Sequence, residues 1–151
     1  MSRTDPPSGA SAPLEMRTSD GEVIDLVAMA REVCQRYRGE FPDEEKRYGP
    51  AGEAWCLHDN QYLLAWAIQE ARDGTVDLIE QVLWLADVLG ARGFPLARLA
   101  RDLEIAAEVA GAAITIAELA RAVELRLSAA ATAVRVTAEK GRAVGAPHAE
   151  A

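Results

Sequence analysis

The chain has few histidine, cysteine and aromatic residues, the types that most often serve in catalysis, metal binding and ligand recognition. Its 151 residues include two histidines, two cysteines and three tryptophans, and aromatic residues make up 5% of the sequence. It has no recognisable secretory signal, and its most apolar stretches, 109–117 and 127–134, are too short to span a bilayer. Two cysteines in such a chain indicate free thiols, so we expect a cytoplasmic protein without membrane contact.

An excess of basic residues is also lacking. Asp and Glu number 24 against 16 Lys and Arg, which gives a formal net charge of -8. Proteins that bind nucleic acid or anionic membranes usually carry a basic patch, and we therefore expect neither partner. No phosphate-binding loop, dinucleotide-binding fingerprint or nucleophile elbow occurs in the sequence, so none of these enzyme classes is indicated.

What remains is a sequence suited to helices. Half of the residues are hydrophobic, and alanine, the strongest helix former, supplies much of that share. Apolar residues recur at helical spacing, and capping residues such as Ser19 or Asp20 mark the starts. No strand pair with a hairpin turn is evident. The helices are predicted at about 21–38, 50–73, 75–91, 95–111 and 115–140.

We expect these helices to form one all-α domain at 19–140, a bundle of four to five helices. Pro, Ser and Gly dominate residues 1–18, which show no apolar periodicity, and residues 141–151 are of the same kind. The sequence therefore predicts disordered tails at both ends of the bundle.

The predicted helix 50–73 concentrates the unusual residues of the chain. Its aliphatic residues share one narrow stripe, and its aromatic residues lie almost opposite. A helix with two apolar faces is either enclosed between neighbouring helices or presents one face to a ligand or partner. Both interpretations stay open. The residues of the second face that are candidates for binding are Trp55, His58, Asp59, Tyr62 and Trp66.

A further tryptophan, Trp84, lies on the acidic face of the predicted helix 75–91, away from its apolar stripe. It is either a solitary exposed side chain or the anchor of an interaction, and we add it to the candidate binding residues. Because bundles with more than one apolar face often dimerise, we expect a protein partner or a homodimer. A small-molecule ligand is the alternative.

Catalysis and metal binding find little support. Cys56 and His58 point about 160° apart on a helix, so one metal ion cannot bind both, and we predict no metal ligand and no catalytic residue.

The side chains of His58 and Asp59 diverge by one helical step, so we expect that Asp59 does not orient the imidazole. Asn60 and Gln61 sit at the rim of the aliphatic stripe, where burial would require hydrogen-bond partners. An enzyme using His58 or Cys56 is the function least favoured.

Four short stretches carry a resemblance when they are taken together. They are Cys56-Leu-His-Asp-Asn-Gln-Tyr62-Leu-Leu, Trp84-Leu, Ala91-Arg-Gly-Phe-Pro95 and Leu99-Ala-Arg-Asp-Leu-Glu104. They are similar to the helical module that precedes the cobalamin-binding domain in a group of bacterial cobalamin-dependent regulators and sensors. In that family the module caps the upper face of the corrinoid. The resemblance implies that Trp55, His58, Tyr62 and Trp84 would face the cofactor.

The resemblance covers the cap alone. The Asp-x-His-x-x-Gly loop that supplies the lower cobalt ligand is absent, and no βα alternation follows Gly111. We therefore predict no cofactor from the residues themselves and name cobalamin by resemblance only. The expected function is a non-enzymatic regulatory or sensor-type bundle that contacts a partner or ligand through its aromatic face. The alternative is a domain that binds a corrinoid or another tetrapyrrole.

Overall fold

Five helices and two short strands make up residues 11–150, the part of the chain that the computed structural model describes; side chains are described for residues 11–141. The prediction of an all-α bundle of four to five helices is confirmed. None of these helices carries an apolar stretch long enough to cross a bilayer. Residues 1–10 and Ala151, which belong to the predicted tails, lie outside the described residues. In chain order the elements are β1 (Glu15–Arg17), β2 (Val23–Asp25), α1 (Leu26–Glu40), α2 (Asp43–Asp73), α3 (Leu78–Ala91), α4 (Leu96–Ala113) and α5 (Ala117–Glu150).

A hairpin that the sequence did not predict opens the fold. β1 and β2 pair antiparallel, with Met16 opposite Ile24. The chain turns at Gly21, whose φ of 87° is a conformation that glycine adopts readily. Each strand has only three residues, too few for a recognisable alternation of apolar and polar positions.

The hairpin also moves the start of the first helix. α1 begins at Leu26 and not near residue 21, because Asp25 is its N-cap: the Asp25 carboxylate accepts a hydrogen bond from the Ala28 amide at 3.0 Å. The cap expected at Ser19 or Asp20 is wrong, since both residues lie in the turn between the strands.

The segment before the hairpin lies along α2. The Nε2 of Gln61 donates to the carbonyl of Pro13 at 2.8 Å, and the Nη1 of Arg72 donates to the carbonyl of Arg17 at 3.0 Å. Gln61 is buried and so has the partner that its position requires. The structure thus differs from the predicted disordered tail over residues 13–17, which are held by hydrogen bonds to α2.

α2 consists of two helical segments joined at a break. Gly49 adopts φ 63° and ψ -157°, a backbone conformation essentially confined to glycine, and Pro50 begins the second segment. The second segment begins where the sequence predicts, and the charged connector before it forms the first. Gly52 supports the break, because a Cβ there would lie 2.3 Å from the Cβ of Tyr48.

Two other helix ends differ from the prediction. α3 begins at Leu78 and not near residue 75, because Asp77 is its N-cap and accepts a hydrogen bond from the Glu80 amide at 3.1 Å. α5 continues to Glu150, past the end expected near residue 140. A glycine inside a helix costs only about 1 kcal/mol, so Gly141 does not by itself end a long helix.

The core forms where the apolar stripes of the five helices meet. α4 and α5 make the most extensive contact, and buried alanines such as Ala106, Ala110 and Ala130 let helix backbones approach closely. Away from this centre, where α1 ends and α2 begins, the helices enclose a cavity. Each helix contributes at least one fully buried leucine to the centre, among them Leu26, Leu64, Leu78, Leu103 and Leu127.

The break at Gly49 yields a first prediction. Gly49→Ala should lower the free energy of unfolding by about 1–3 kcal/mol, because the Cβ penalises a positive φ combined with extended ψ. Urea denaturation measures the change. Gly39→Ala is the matched control: Gly39 lies within α1 with open space around its Cα, so this substitution should leave stability unchanged or raise it by up to about 1 kcal/mol. Equal effects of both substitutions would contradict the assigned role of Gly49.

Candidate functional site

A cavity of about 570 Å³ lies between the last turns of α1 and α3, the first half of α2 and the start of α4. This volume is within the range of ordinary small-molecule pockets. Small residues of α2 make part of the wall and leave the space open, among them Gly49, Ala51 and Gly52. The break in α2 therefore helps to shape the cavity.

Most of the wall is apolar. Leucines from α2, α3 and α4 line it, and aromatic rings close its sides. Tyr48 and Phe94 face each other with ring centroids 6.1 Å apart, and the buried indole of Trp55 lies on the same lining. Such a wall favours an apolar or aromatic body over a strongly hydrated one. The lining leucines are Leu63, Leu85, Leu89 and Leu99.

A buried pair of polar side chains forms the first polar part of the lining. Asn60, on α2, and Asp102, on α4, are 2% and 7% exposed. The Nδ2 of Asn60 donates to the Oδ1 of Asp102 at 3.0 Å and to the backbone carbonyl of Cys56 at 3.0 Å. The Oδ1 of Asn60 is buried and has no hydrogen-bond partner among the described residues. The lining thus contains an acceptor that the protein does not satisfy.

Burial has a large electrostatic effect on Asp102. It raises the pKa of the Asp102 carboxyl from 3.8 to about 7; the hydrogen bond from Asn60 opposes the shift, and the negative charge of Asp59 adds to it. Near neutral pH the carboxyl is therefore divided between its protonated and ionised forms. A cationic group placed beside it would favour the ionised form.

A second polar pair lines the cavity nearby. The hydroxyl of Tyr37, on α1, donates to the Oε1 of Glu44, in the first segment of α2. Burial, followed by this hydrogen bond, raises the pKa of Tyr37, so the hydroxyl stays protonated. The Oε2 of Glu44 is buried without a hydrogen-bond partner among the described residues. Like Asn60, Glu44 is a lining residue with an unsatisfied acceptor, and its Oε1 also lies 3.7 Å from the Nη1 of Arg98.

Two free thiols flank the Asn60 amide. Its Nδ2 lies 3.7 Å from the Sγ of Cys34 and 3.6 Å from the Sγ of Cys56. Hydrogen bonding to Cys34 and burial raise the pKa of Cys56, and a protonated thiol is a poor nucleophile. Within residues 11–141 no three His, Cys, Asp or Glu side chains meet as a metal site would require.

The candidate residues of α2 form a continuous row of rings. The centroids of Trp55 and His58 are 5.2 Å apart, those of His58 and Tyr62 5.0 Å, and those of Tyr62 and Trp66 5.6 Å. Trp55 and Asp59 line the cavity. Trp66 is half-buried and packs against the core. The structure therefore divides the predicted aromatic face between the cavity lining and the outer side of the bundle.

The expected separation of His58 and Asp59 is wrong. The Nδ1 of His58 and the Oδ1 of Asp59 lie 3.1 Å apart, although the residues are adjacent on the helix. Side-chain torsions allow neighbouring residues to lean together, and the rings of Trp55 and Tyr62 hold the imidazole from either side. Asp59 does orient the imidazole.

Trp84 stands apart from the cavity. It is 59% exposed on α3 and lies beside Glu80 and Gln81. Its indole therefore belongs to a different surface from the residues that line the cavity.

Three further residues of the lining were not predicted as functional candidates from the sequence: Asp102, Glu44 and Tyr37. A signal existed for Asp102, which falls among the apolar positions of α4 between Leu99 and Ala106. A carboxylate within an apolar stripe is unusual and indicates a buried polar site. Glu44 gave no such signal, because it lies in a charged connector, and its burial results from the break in α2.

Asp102→Asn should raise the free energy of unfolding near pH 8 by roughly 2–4 kcal/mol and change it little near pH 4. The folded chain binds the Asp102 proton more tightly than the unfolded chain does, so wild-type stability falls as pH rises from 3.8 to about 7. The introduced amide cannot ionise and so removes this loss of stability, and its oxygen still accepts the hydrogen bond from Asn60. Urea denaturation at both pH values measures it, with Asp87→Asn on the exposed surface as control. An equal change at both pH values would refute the coupling.

Comparison with known proteins gave no relative. No family model matches the chain, and no curated protein or solved structure is significantly similar to it. The assignment of a function therefore depends on the geometry and chemistry of the cavity.

Proposed function

We propose that the protein is a non-enzymatic, sensor-type domain that binds a small molecule in the cavity. One observation carries the proposal: about 570 Å³ of mostly apolar space is lined by the buried polar pair Asn60 and Asp102. Small-molecule sites combine apolar walls with a few convergent polar groups in this way.

The energetics of Asp102 support a binding role. A buried carboxyl lowers stability unless it is fully hydrogen-bonded, and an apolar residue at this position would remove the loss. Residues that reduce stability are commonly kept where they serve function. The unpartnered Oδ1 of Asn60 has the same character, because it is an acceptor that a ligand can satisfy.

The position of the cavity supports a sensor more than an enzyme. Its lining comes from α1, α2, α3 and α4, so one ligand would contact four helices and stabilise their mutual arrangement. The thiol of Cys56 is held in its protonated form, which gives nucleophilic catalysis no support.

Filling the cavity should abolish binding. A thermal-shift screen of a diverse small-molecule library should find compounds that raise the melting temperature of the wild type but not of Ala51→Trp, whose indole occupies the cavity. Ala54→Trp, on the exposed side of the same helical segment, should respond as the wild type does. A tenfold excess of ligand over Kd stabilises by about 1.4 kcal/mol, which a melting curve detects. Hits that act equally on both variants, or no hits, would refute the proposal.

A second candidate function is recognition of a partner through Trp84. The observation that favours it is the 59% exposure of this indole on α3, because exposed tryptophans are frequent anchors of interfaces. The partner would be a second copy of the chain or, as the resemblance implies, a corrinoid-binding protein. If the partner is a corrinoid-binding protein, adding hydroxocobalamin to this chain alone should leave the absorption spectrum of the cobalamin unchanged. The spectrum should shift only when the corrinoid-binding protein is also present.

Trp84→Ser should weaken self-association by on the order of tenfold or more, as expected for a tryptophan anchor. Sedimentation equilibrium over a range of concentrations measures the dissociation constant. Leu125→Ser is the control, since Leu125 is a comparably exposed apolar residue, at 52%, on α5. A wild type that stays monomeric at high concentration, or equal effects of the two substitutions, would exclude a homodimer through Trp84.

A further inference from the structure

We infer that the ligand of the cavity carries an ammonium group on an apolar, aromatic-sized body, with the ammonium placed against Asn60, Asp102 and Glu44. This inference rests on the proposed function. It names the chemical class of the ligand from the hydrogen-bonding groups that the cavity presents.

Among the residues that line the cavity, three have a buried polar atom without a hydrogen-bond partner in the described part of the chain, and two of these atoms are acceptors. These acceptors are the Oδ1 of Asn60 and the Oε2 of Glu44, two buried atoms that belong to residues of the lining. The carboxyl of Asp102 lies beside Asn60. An ammonium group has three donors and no acceptor, so it matches such a set. A carboxylate or phosphate would meet acceptors and like charge.

The charges around the cavity agree with a cationic ligand. Its lining includes five carboxylate residues and three arginines. The Nε of Arg38 is also buried without a hydrogen bond, but its Nη1 pairs with Glu53 at 2.7 Å. Arg47 lies 3.7 Å from Asp43. Two of the three arginines thus pair with carboxylates, and carboxylate residues outnumber arginines in the lining. The lining residues counted are Glu44, Glu45, Glu53, Asp59 and Asp102, with Arg38, Arg47 and Arg92.

The walls account for the apolar body. Leu63, Leu85 and Leu89 provide aliphatic surface, and the rings of Trp55 and Phe94 provide aromatic surface. An aromatic ring also attracts a nearby cation through its π face. A simple polyamine would leave this surface uncovered, so an arylalkylamine fits the lining better.

Asp102 links binding to proton release. The groups that interact with it are Tyr37 from α1 and Cys56, Asp59 and Asn60 from α2. None of them is a cation. With its pKa near 7, about half of the carboxyl is protonated at pH 7. An ammonium beside it favours the ionised form, so binding should release up to ~0.5 proton per ligand.

Isothermal titration calorimetry with three matched probes tests the inference. Phenylbutylamine, phenylbutanol and phenylbutanoate share one apolar body and differ in the head group. The amine should bind on the order of tenfold more tightly than the alcohol, and the acid more weakly still, because hydrogen bonds to charged partners are the stronger ones. Titration at pH 7 in phosphate and in MOPS, whose ionisation enthalpies differ, measures the proton release.

Two variants test whether Asp102 is responsible for the binding of the amine and for the proton release. Asp102→Asn keeps an acceptor for Asn60 and so preserves the fold. It should weaken amine binding by about tenfold and abolish proton release. Asp87→Asn, on the exposed surface of α3, should bind the amine as the wild type does.

The outcomes separate the ligand class from the proposed function. Equal or tighter binding of the alcohol or the acid, or proton release that persists in Asp102→Asn, would overturn the ammonium class and leave the cavity as a binding site. Failure of all three probes would also overturn the class. If the library screen found no compound whose thermal stabilisation is lost in Ala51→Trp, the proposed function would be refuted as well.

Discussion

The hydrogen bond from Asn60 to Asp102, 3.0 Å long, joins the second and fourth helices inside the bundle. It fixes the position of both side chains, because the same amide group also holds the Cys56 carbonyl. With its two donor hydrogens so engaged, Asn60 has only its carbonyl oxygen to offer the cavity. The arrangement thus converts a neutral amide and a buried acid into an acceptor site. The positions of the two polar side chains in the lining follow from this contact, whereas the raised pKa of the Asp102 carboxyl follows from its burial, which the hydrogen bond partly offsets.

α2 connects this site with the rest of the molecule. Leu64 and Ile68 are buried in the core, Asn60 lines the cavity, and Gln61 binds the segment before the hairpin. The aromatic row begins in the cavity lining at Trp55 and continues along the outer side of the helix. Because Trp55 is 8% exposed and Trp66 packs against the core, the geometry favours a packing role for much of the row. The exposed tryptophan of the chain lies elsewhere, on α3 at Trp84. α2 thus has two apolar faces largely because it borders both the core and the cavity.

The sequence predicted the helices well because each carries an apolar stripe that repeats at helical spacing, as at Leu99, Leu103 and Ala106. It did not predict the hairpin, whose strands are too short for a pattern, and it placed the first cap in the turn and not at Asp25. The cavity was beyond sequence reasoning because its lining converges from four helices and depends on the backbone of Gly49. The position of Asn60 at the rim of the aliphatic stripe predicts a hydrogen-bond partner, but nothing in the sequence identifies Asp102 as that partner, since the two residues are 42 positions apart.

The two unsatisfied acceptors bear on why a ligand would bind tightly in a cavity of this size. Water within it would hydrate Asp102 and Glu44, and it would also lie against leucine and aromatic walls, where it gains few hydrogen bonds. An apolar ligand body displaces that water, and the release favours binding. The same displacement lowers the effective dielectric constant around the carboxyl of Asp102, which strengthens its attraction for a cation. A ligand with an apolar body but no hydrogen-bond donor would remove the water and leave the acceptors unpaired, at a cost of about 1–3 kcal/mol each. For the proposed ammonium ligand, selectivity over a body without donors would therefore come as much from this penalty as from the ion pair itself.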